Sequence, residues 1–206
     1  MQSLRTPRLD LTPLKPVDAA PLFAVLEEPK LYRHLPHGPP ADPSVLQERF
    51  SRLAARRSPD GRRQWLDWAV RERSSGAAVG LVEVTVEGED AHLGYFVACT
   101  HWRRGIAHEA CAAVLQHLRK DLGVGEAIAE MDTRNTASRR LVESLGFICT
   151  ALHRDVDVID GQPSHVYEYH LDLSGTNIRA VGGTPDGWLE LGGVDEGVGA
   201  PQPRTV

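Results

Sequence analysis

The chain has 206 residues and a formal net charge of −5 at pH 7, and it is 41% hydrophobic and 25% charged. These values are typical of a folded domain with one substantial core, and the acidic balance disfavours sequence-independent nucleic-acid binding, which depends on a basic excess. No apolar run reaches the roughly 18–20 residues of a membrane helix. No signal-peptide pattern opens the sequence, so we predict a cytoplasmic protein without membrane contact.

The first predicted elements are a strand and two helices. Apolar and polar residues alternate over residues 8–14, which predicts a half-buried strand. Asp18 precedes apolar residues at helical spacing and predicts one helix start, and Ser44 predicts the start of a second amphipathic helix. The loop between these helices, residues 34–43, is rich in proline and glycine.

Three extended runs and a strongly apolar helix form the middle of the chain. Turn residues separate the runs and predict an antiparallel meander over residues 64–73, 78–87 and 91–98. Apolar residues then fall in two adjacent helical rows over residues 106–122. We therefore predict a helix that is buried over a wide face and that ends at Gly123.

The last predicted elements are a short strand, a helix and a hairpin. The strand covers residues 127–131, and Asn135 predicts the cap of a helix that ends at Gly146. Extended runs over residues 147–158 and 165–173 predict the two strands of the hairpin.

Residues 102–110, Trp-Arg-Arg-Gly-Ile-Ala-His-Glu-Ala, mark the change from an extended run to the apolar helix. A helix start has several backbone N–H groups without intrahelical partners and the positive end of the helix dipole, so it can bind phosphate. Gly105 lets an anion approach the backbone, Ala107 leaves the next turn clear, and Arg103 and Arg104 add positive charge. The pattern predicts an anion cradle; an ordinary turn with two solvated arginines is the alternative.

Four motifs in sequence order resemble the GNAT superfamily of acyl-CoA N-acyltransferases, in particular its branch related to the ribosomal-protein N-terminal acetyltransferases RimJ and RimL. The motifs are Thr6-Pro7-Arg8-Leu9-Asp10-Leu11, Leu93-Gly94-Tyr95, the segment from Trp102 to Ala110, and Asn135-Thr136-Ala137-Ser138-Arg139-Arg140-Leu141 with Leu145-Gly146-Phe147. The resemblance covers about residues 4–173. Two positions depart from the wider pattern: Trp102, where Gln or Arg is frequent, and Val142, where many relatives have a tyrosine proposed as general acid.

The resemblance implies an α/β (α+β) fold with a mixed, mostly antiparallel sheet, helices on both faces, and a fourth and a fifth strand that splay apart. It also implies one acetyltransferase domain over residues 1–174. Residues 175–206 are rich in glycine and proline without a sustained period, which predicts a mobile tail.

The resemblance further implies that acetyl-CoA lies in the splay. Backbone groups from Val97 to Cys99 would then pair with the pantetheine amides. Pyrophosphate would bind the cradle, formed by Arg103, Arg104, Gly105, Ile106 and Ala107. Asn135 and Ser138 would contact the pantetheine arm and the sulfur, and Arg140 would reach the adenosine 3′-phosphate. Helix capping by Asn135 and solvation of Arg140 are the structural alternatives.

Acetyl transfer to an amine needs a base, because a protonated amine has no lone pair. We place His92 first, since it precedes Gly94 on one strand face and imidazole is partly neutral near pH 7; a surface histidine is an equal alternative. Glu83 is second, and strand alternation allows it either to line a cleft or to face solvent. Ser138 is the candidate donor to the leaving thiolate. His34 and His37 are expected to border the acceptor side.

Cysteine and histidine spacing indicates no metal. Cys99, Cys111 and Cys149 are scattered without CxxC or Cys–His spacing, which disfavours a zinc site or a disulfide framework. The activity that the resemblance implies is acetyl-CoA-dependent transfer to a primary amine, either a protein N-terminus or a small amine, by direct attack in a ternary complex and without a metal. A non-catalytic acyl-CoA-binding sensor or assembly module is the alternative. A longer acyl group and a homodimer are also compatible with the sequence.

Overall fold

The structure, a computed structural model, describes residues 1–175. In the described chain the elements are β1 (Leu4–Arg5), β2 (Leu9–Pro13), α1 (Ala19–Leu26), α2 (Pro43–Leu53), β3 (Arg63–Glu72), β4 (Ala78–Glu87), β5 (Asp90–Val97), α3 (Ile106–His117), β6 (Glu126–Asp132), α4 (Thr136–Ser144), β7 (Ile148–Ile159) and β8 (Gln162–Asp172). The tail predicted for residues 175–206 lies outside the described residues, apart from Gly175. No helix in the described part is long and apolar enough to cross a membrane.

All eight strands form one sheet in the order β1-β2-β3-β4-β5-β6-β8-β7. Every neighbouring pair is antiparallel except β5 and β6, which are parallel. The predicted mixed, mostly antiparallel sheet, its central meander and its final hairpin are therefore confirmed. Strand β1 was not predicted, because a strand of two residues shows no period.

The parallel pair, β5 and β6, separates after its first residues. Its register contains Asp90↔Glu126, Ala91↔Ala127 and His92↔Ile128, after which β5 runs on to Val97 and β6 to Asp132 without further registered pairs. These are the fourth and fifth strands of the sequence prediction, renumbered because β1 precedes them. The predicted splay is thus present, and it lies in the middle of the sheet.

Helices cover both faces of the sheet, and each face has its own core. One core contains Trp68 together with Ile106 and Val114 of α3. The other contains Leu22 of α1 and Phe50 of α2. Because side chains alternate along a strand, β5 contributes Leu93, Tyr95 and Val97 to the first core and Phe96 to the second. The alternation therefore determines which β5 residues can reach α3 and α4.

Several helix boundaries differ from the prediction. Asp42, rather than Ser44, caps α2, and its carboxylate accepts hydrogen bonds from the backbone N–H of Ser44 at 2.7 Å and of Val45 at 3.2 Å. The Asp-Pro sequence is the stronger signal, because proline is favoured at the first helical position.

Asp18 precedes α1, but its carboxylate pairs with Arg71 at 2.8 Å instead of capping the helix. The helix predicted to reach residue 122 ends as α3 at His117 and continues as one π turn.

Glu109, in the first turn of α3, joins that helix to the start of β2. Its carboxylate accepts hydrogen bonds from the hydroxyl of Thr6, from the backbone N–H of Arg8 at 2.9 Å and from Nε of Arg8 at 2.6 Å. A carboxylate near a helix N-terminus is also favoured by the helix dipole. The opening Thr6-Pro7-Arg8 motif therefore positions α3 against the sheet.

We expect Glu109→Gln to lower the free energy of unfolding by about 1–3 kcal/mol at pH 7, since an amide cannot accept all three of these hydrogen bonds. Partial burial alone would raise the pKa of Glu109, but the hydrogen bonds from Thr6 and Arg8 outweigh it and hold the pKa below 4.5. The stabilisation is therefore present above pH 4.5 and is lost as the pH falls through the folded-state pKa.

Urea unfolding at pH 7 and pH 3.5 measures both effects, and the exposed Glu48→Gln is the control. The difference between wild type and Glu109→Gln should shrink on acidification. A difference of equal size at both pH values would contradict the electrostatic explanation.

Candidate active site

A cavity of about 650 Å³ lies over the open end of the splay. Four regions line it: the segment before Leu35, the end of β5, the start of α3 and the start of α4. The lining residues are Lys30, Leu31, Arg33, His34, Tyr95, Val97, His101, Trp102, Arg103, Gly105, Ile106, Ala107, His108, Asn135, Thr136, Ala137, Ser138, Arg140 and Leu141. Its volume is within the usual range for a small-molecule site, roughly 300–1,000 Å³.

The predicted anion cradle forms one wall of this cavity. Arg103 and Gly105 both have left-handed backbone, with φ of 59° and 74°, and Gly105 directly precedes α3. Left-handed residues at a helix start turn successive N–H groups toward one concave surface, which suits an anion. A Cβ on Gly105 would lie 3.3 Å from Nη2 of Arg8, whose Nη1 donates to the carbonyl oxygen of Arg104 at 2.7 Å. Glycine is therefore favoured by the backbone conformation, and a side chain here would press on Arg8.

Trp102 connects the cradle to two other parts of the cavity. Its indole N–H donates to the carbonyl oxygen of Val97 at 2.8 Å. The guanidinium of Arg33 lies over its ring, 5.7 Å from the centroid. This aromatic residue therefore positions both the end of β5 and the segment before Leu35.

Asn135 and Ser138 form the opposite wall, at the start of α4. The Asn135 side chain caps the helix by accepting a hydrogen bond from the Ser138 N–H at 3.1 Å, which confirms the predicted cap. Both residues are almost fully buried. Burial, reinforced by Cys111, raises the pKa of Tyr95 well above 10, and the nearby Ser138 side chain opposes this only in part. Tyr95 therefore stays protonated at neutral pH.

His34 contributes an imidazole to the same cavity. Its Nδ1 is buried and has no hydrogen-bond partner among residues 1–175. Burial lowers the pKa of His34 below 6.5, and the charge of Arg33 lowers it further, while Asp132 opposes the shift. The ring is therefore mostly neutral at pH 7.

The structure brings most of the predicted cofactor residues together and leaves four of the predicted cofactor and catalytic residues, as well as His37, outside the cavity lining. The residues inside are Val97, Arg103, Gly105, Ile106, Ala107, Asn135, Ser138 and Arg140. Cys99 begins the short 3₁₀ turn after β5, and Arg104 lies 3.7 Å from Glu72 in an ion pair. His92 occupies the last registered pair of β5 and β6, and Glu83 lies on β4.

Glu83 belongs to a buried polar cluster beneath α2. It faces Asp67 across the β3–β4 register and forms an ion pair with Arg49. Burial raises the pKa of Asp67 well above 3.8, and the neighbouring charge of Glu83 raises it further, whereas Arg49 and Arg56 oppose the shift. The Glu83 side chain is thus directed to the α1/α2 side of the sheet and not to solvent.

Sequence reasoning did not assign a role to Tyr95, although it named the Leu93-Gly94-Tyr95 motif. The signal was available, because Tyr95 is two residues from Val97 and so shares its strand face. Val142, where many superfamily members have a tyrosine, is fully buried in the core and brings no hydroxyl to the cavity. Among the described residues, no three His, Cys, Asp or Glu side chains form a group that could bind a metal ion.

Comparison with known proteins gives one family and a consistent fold. A family model described as an acetyltransferase (GNAT) domain matches residues 8–148. The uncharacterized N-acetyltransferase p20 of Bacillus licheniformis is 26% identical over 172 residues, which are 83% of this chain and 96% of that protein.

Two solved structures share the fold at lower identity. The ribosomal-protein-S5-alanine acetyltransferase of Vibrio fischeri has a TM-score of 0.72 and 16% identity, over 82% of this chain and 96% of its own. The spermidine N-acetyltransferase of Vibrio cholerae, in complex with CoA and spermine, has a TM-score of 0.70 and 17% identity, over 82% of this chain and 98% of its own.

Gly105→Ala should weaken CoA binding about tenfold, a change of about 1.4 kcal/mol, because the new Cβ pushes Arg8 away from the cradle and a positive φ is strained in alanine. Gly123→Ala is the matched control, since Gly123 also has a positive φ, of 66°, but nothing lies within 4 Å of its added Cβ. Calorimetric titration and urea unfolding of both variants separate binding from strain. Both should lose similar stability, of about 1 kcal/mol. Equal CoA affinities in the two variants would contradict the assigned role of Gly105.

Proposed function

Because the chain belongs to the GNAT family of acetyltransferases, we propose that it transfers an acetyl group from acetyl-CoA to a primary amine. The proposed transfer is direct, within a ternary complex and without a covalent enzyme intermediate. Within the family we place it in the RimJ and RimL branch, on the four sequence motifs. The cytoplasmic location predicted from the sequence stays part of this proposal.

The observation that carries the proposal is the continuity of cradle and splay within one cavity. The cradle residues Arg103 and Gly105 line the same space as Val97 at the end of β5 and Ser138 at the start of α4. A molecule with a diphosphate at one end and an amide-containing arm ending in a thioester fits this order of groups. The donor set therefore fits acetyl-CoA.

In this proposal, each part of the cavity binds one part of acetyl-CoA. The N–H groups at the start of α3 bind the pyrophosphate, with charge from Arg103, and Arg140 binds the 3′-phosphate. Backbone groups near Val97 bind the pantetheine arm. A backbone N–H of β5 polarises the thioester carbonyl as negative charge develops on its oxygen.

Ser138 and Tyr95 are proposed to stabilise the leaving thiolate. Both side chains line the cavity, and Tyr95 remains a protonated donor at neutral pH. The pair thereby takes the place of the tyrosine that Val142 replaces. A thiolate is a better leaving group when a donor is already oriented toward it.

The base role that the sequence assigns to His92 and Glu83 stays a prediction. Both residues lie outside the cavity lining, and Glu83 is engaged with Arg49 on the α1/α2 side. Either residue would act on an acceptor that approaches from that side of the sheet.

The acceptor in this proposal is a protein N-terminus or a small amine. The two structural neighbours named above are a ribosomal-protein alanine acetyltransferase and a spermidine acetyltransferase, so this fold serves both acceptor classes.

Acetyl-CoA should bind with a Kd of about 1 μM to 1 mM, and free thiol should appear when an amine is added. The measurement is calorimetric titration, followed by thiol detection with an alanine-initiated peptide and with spermidine. Absence of binding at millimolar acetyl-CoA would remove the basis of the proposal. Binding without thiol release across a broad amine panel would favour the non-catalytic acyl-CoA-binding module.

Ser138→Ala should lower kcat about 10- to 100-fold and leave the Kd of acetyl-CoA within about threefold, because the hydroxyl is needed mainly as charge develops on sulfur. Ser144→Ala is the matched control, since Ser144 is an exposed serine of the same helix whose hydroxyl donates to the carbonyl oxygen of Leu141. A loss of affinity with unchanged kcat would instead assign Ser138 to cofactor binding.

A further inference from the structure

His34 occupies a fixed position at the mouth of the cavity. It follows a short 3₁₀ turn, Pro29–Tyr32, and lies between Tyr32 and Leu35, which are both buried. The Tyr32 hydroxyl donates to the carbonyl oxygen of Leu26 at 2.8 Å, and the Leu35 N–H donates to the carbonyl oxygen of Tyr32 at 2.9 Å. Arg33 is fixed against Trp102. The backbone on both sides of His34 is therefore held in place.

The His34 ring has an unusual environment for a histidine. Its Nδ1 is buried without a hydrogen-bond partner among the described residues, although most buried polar atoms have one. The charged groups that act on it are Arg33 from its own segment and Asp132 and Arg134 from the end of β6 and the following loop. Asp132 is itself engaged by Arg134, at 2.7 and 2.8 Å, so it does not hold the imidazole as a partner.

The position over β6 is relevant to the chemistry. Asp132 is the last residue of β6, the strand that separates from β5, so His34 lies near the open end of the gap. The other cavity histidines, His101 and His108, flank the cradle, where the phosphates are expected. Of the three, His34 is the one that lies outside the cradle segment, beside the end of β6.

Building on the proposed function, we infer that His34 is the base that removes the proton from the acceptor amine. The ammonium gives one proton to the imidazole and becomes a neutral amine. The nitrogen lone pair then attacks the thioester carbonyl carbon, and the C–N bond forms as the C–S bond breaks. The thiolate takes up the second proton, released from the nitrogen, and the imidazolium returns its proton to solvent.

This assignment uses a residue in the cavity, whereas His92 and Glu83 lie outside its lining. A neutral imidazole has a free lone pair at pH 7, so it can accept the proton without first losing its own. Glu83, by contrast, is already paired with Arg49. The structure thus supplies an unengaged base, His34, and an engaged one, Glu83.

The test compares wild type, His34→Gln and His34→Ala with the exposed control His153→Ala, using the panel amine with the highest turnover. At pH 7 His34→Gln should lower kcat/KM about 100-fold, the usual size of a general-base effect, and leave the Kd of acetyl-CoA within about threefold. The wild-type rate should fall on acidification through a pKa below 6.5. The rate of His34→Gln should not show this acidic decline. It should approach the wild-type rate as the pH rises, because the free amine becomes more abundant.

An acceptor that is already neutral at pH 7, such as an alkoxyamine, gives the sharpest readout. It needs no base to deprotonate it before attack, so the defect of His34→Gln should shrink to less than about fivefold. A purely structural role would produce the same defect with both acceptors. Such a result, or wild-type activity in both His34 variants, would overturn the inference.

Two further variants separate this inference from the proposed function. If Glu83→Gln or His92→Ala loses activity with the pH behaviour expected for His34, the base lies elsewhere and the inference is wrong, while acetyl transfer stands. If wild type itself turns over no amine, the proposed function fails and the inference fails with it.

Discussion

A strand in the interior of a sheet normally pairs its backbone groups on both edges, and β5 does so along its whole length only with β4. On its other edge, the pairing of β5 with β6 ends at His92, and the side chains around the unpaired part of β5 are buried. An unpaired buried backbone group costs about 1–3 kcal/mol. A ligand arm with its own amide donors and acceptors can replace the missing strand, so the gap has the chemistry of an amide-binding site.

The remainder of the site is arranged around that gap. The indole of Trp102 satisfies the carbonyl oxygen of Val97 at the point where β5 ends, and it also orders the segment that contains His34. Glu109 ties the first turn of α3 to β2, which fixes the cradle relative to the sheet. Anion binding at the cradle and amide binding in the gap are therefore geometrically linked. Because the cradle and the gap bind two ends of one ligand, a change at either site also affects binding at the other.

The fold and the cradle could be predicted from the sequence because their signals are local. Strand alternation, turn residues and the change of pattern at residues 102–110 each lie within a short window. The side of the sheet that Glu83 faces could not be predicted, since alternation defines two faces but not which one meets α2. His34 is more than sixty residues from Tyr95 in the sequence, so only tertiary structure could show that they share a cavity.

Two helix starts differ from the prediction, one for a local reason and one for a long-range reason. Asp42 and Ser44 are both good caps, and the proline after Asp42 decides between them. Asp18 has the right position for a cap, but the long-range partner Arg71 binds its carboxylate instead. A tertiary ion pair at 2.8 Å thus competes with a local hydrogen bond and cannot be read from neighbouring residues.

Charged groups around the parted strands fall into two sets. Arg103, Arg140 and the dipole of α3 lie on the cavity side, whereas Asp67 and Glu83 are buried beneath α2. A carboxylate near an ammonium attracts it but also raises its pKa, which opposes deprotonation. A neutral imidazole beside the gap does not impose that penalty. Attraction of a cationic acceptor and removal of its proton are conflicting tasks for one group, and a neutral His34 is suited to the second task.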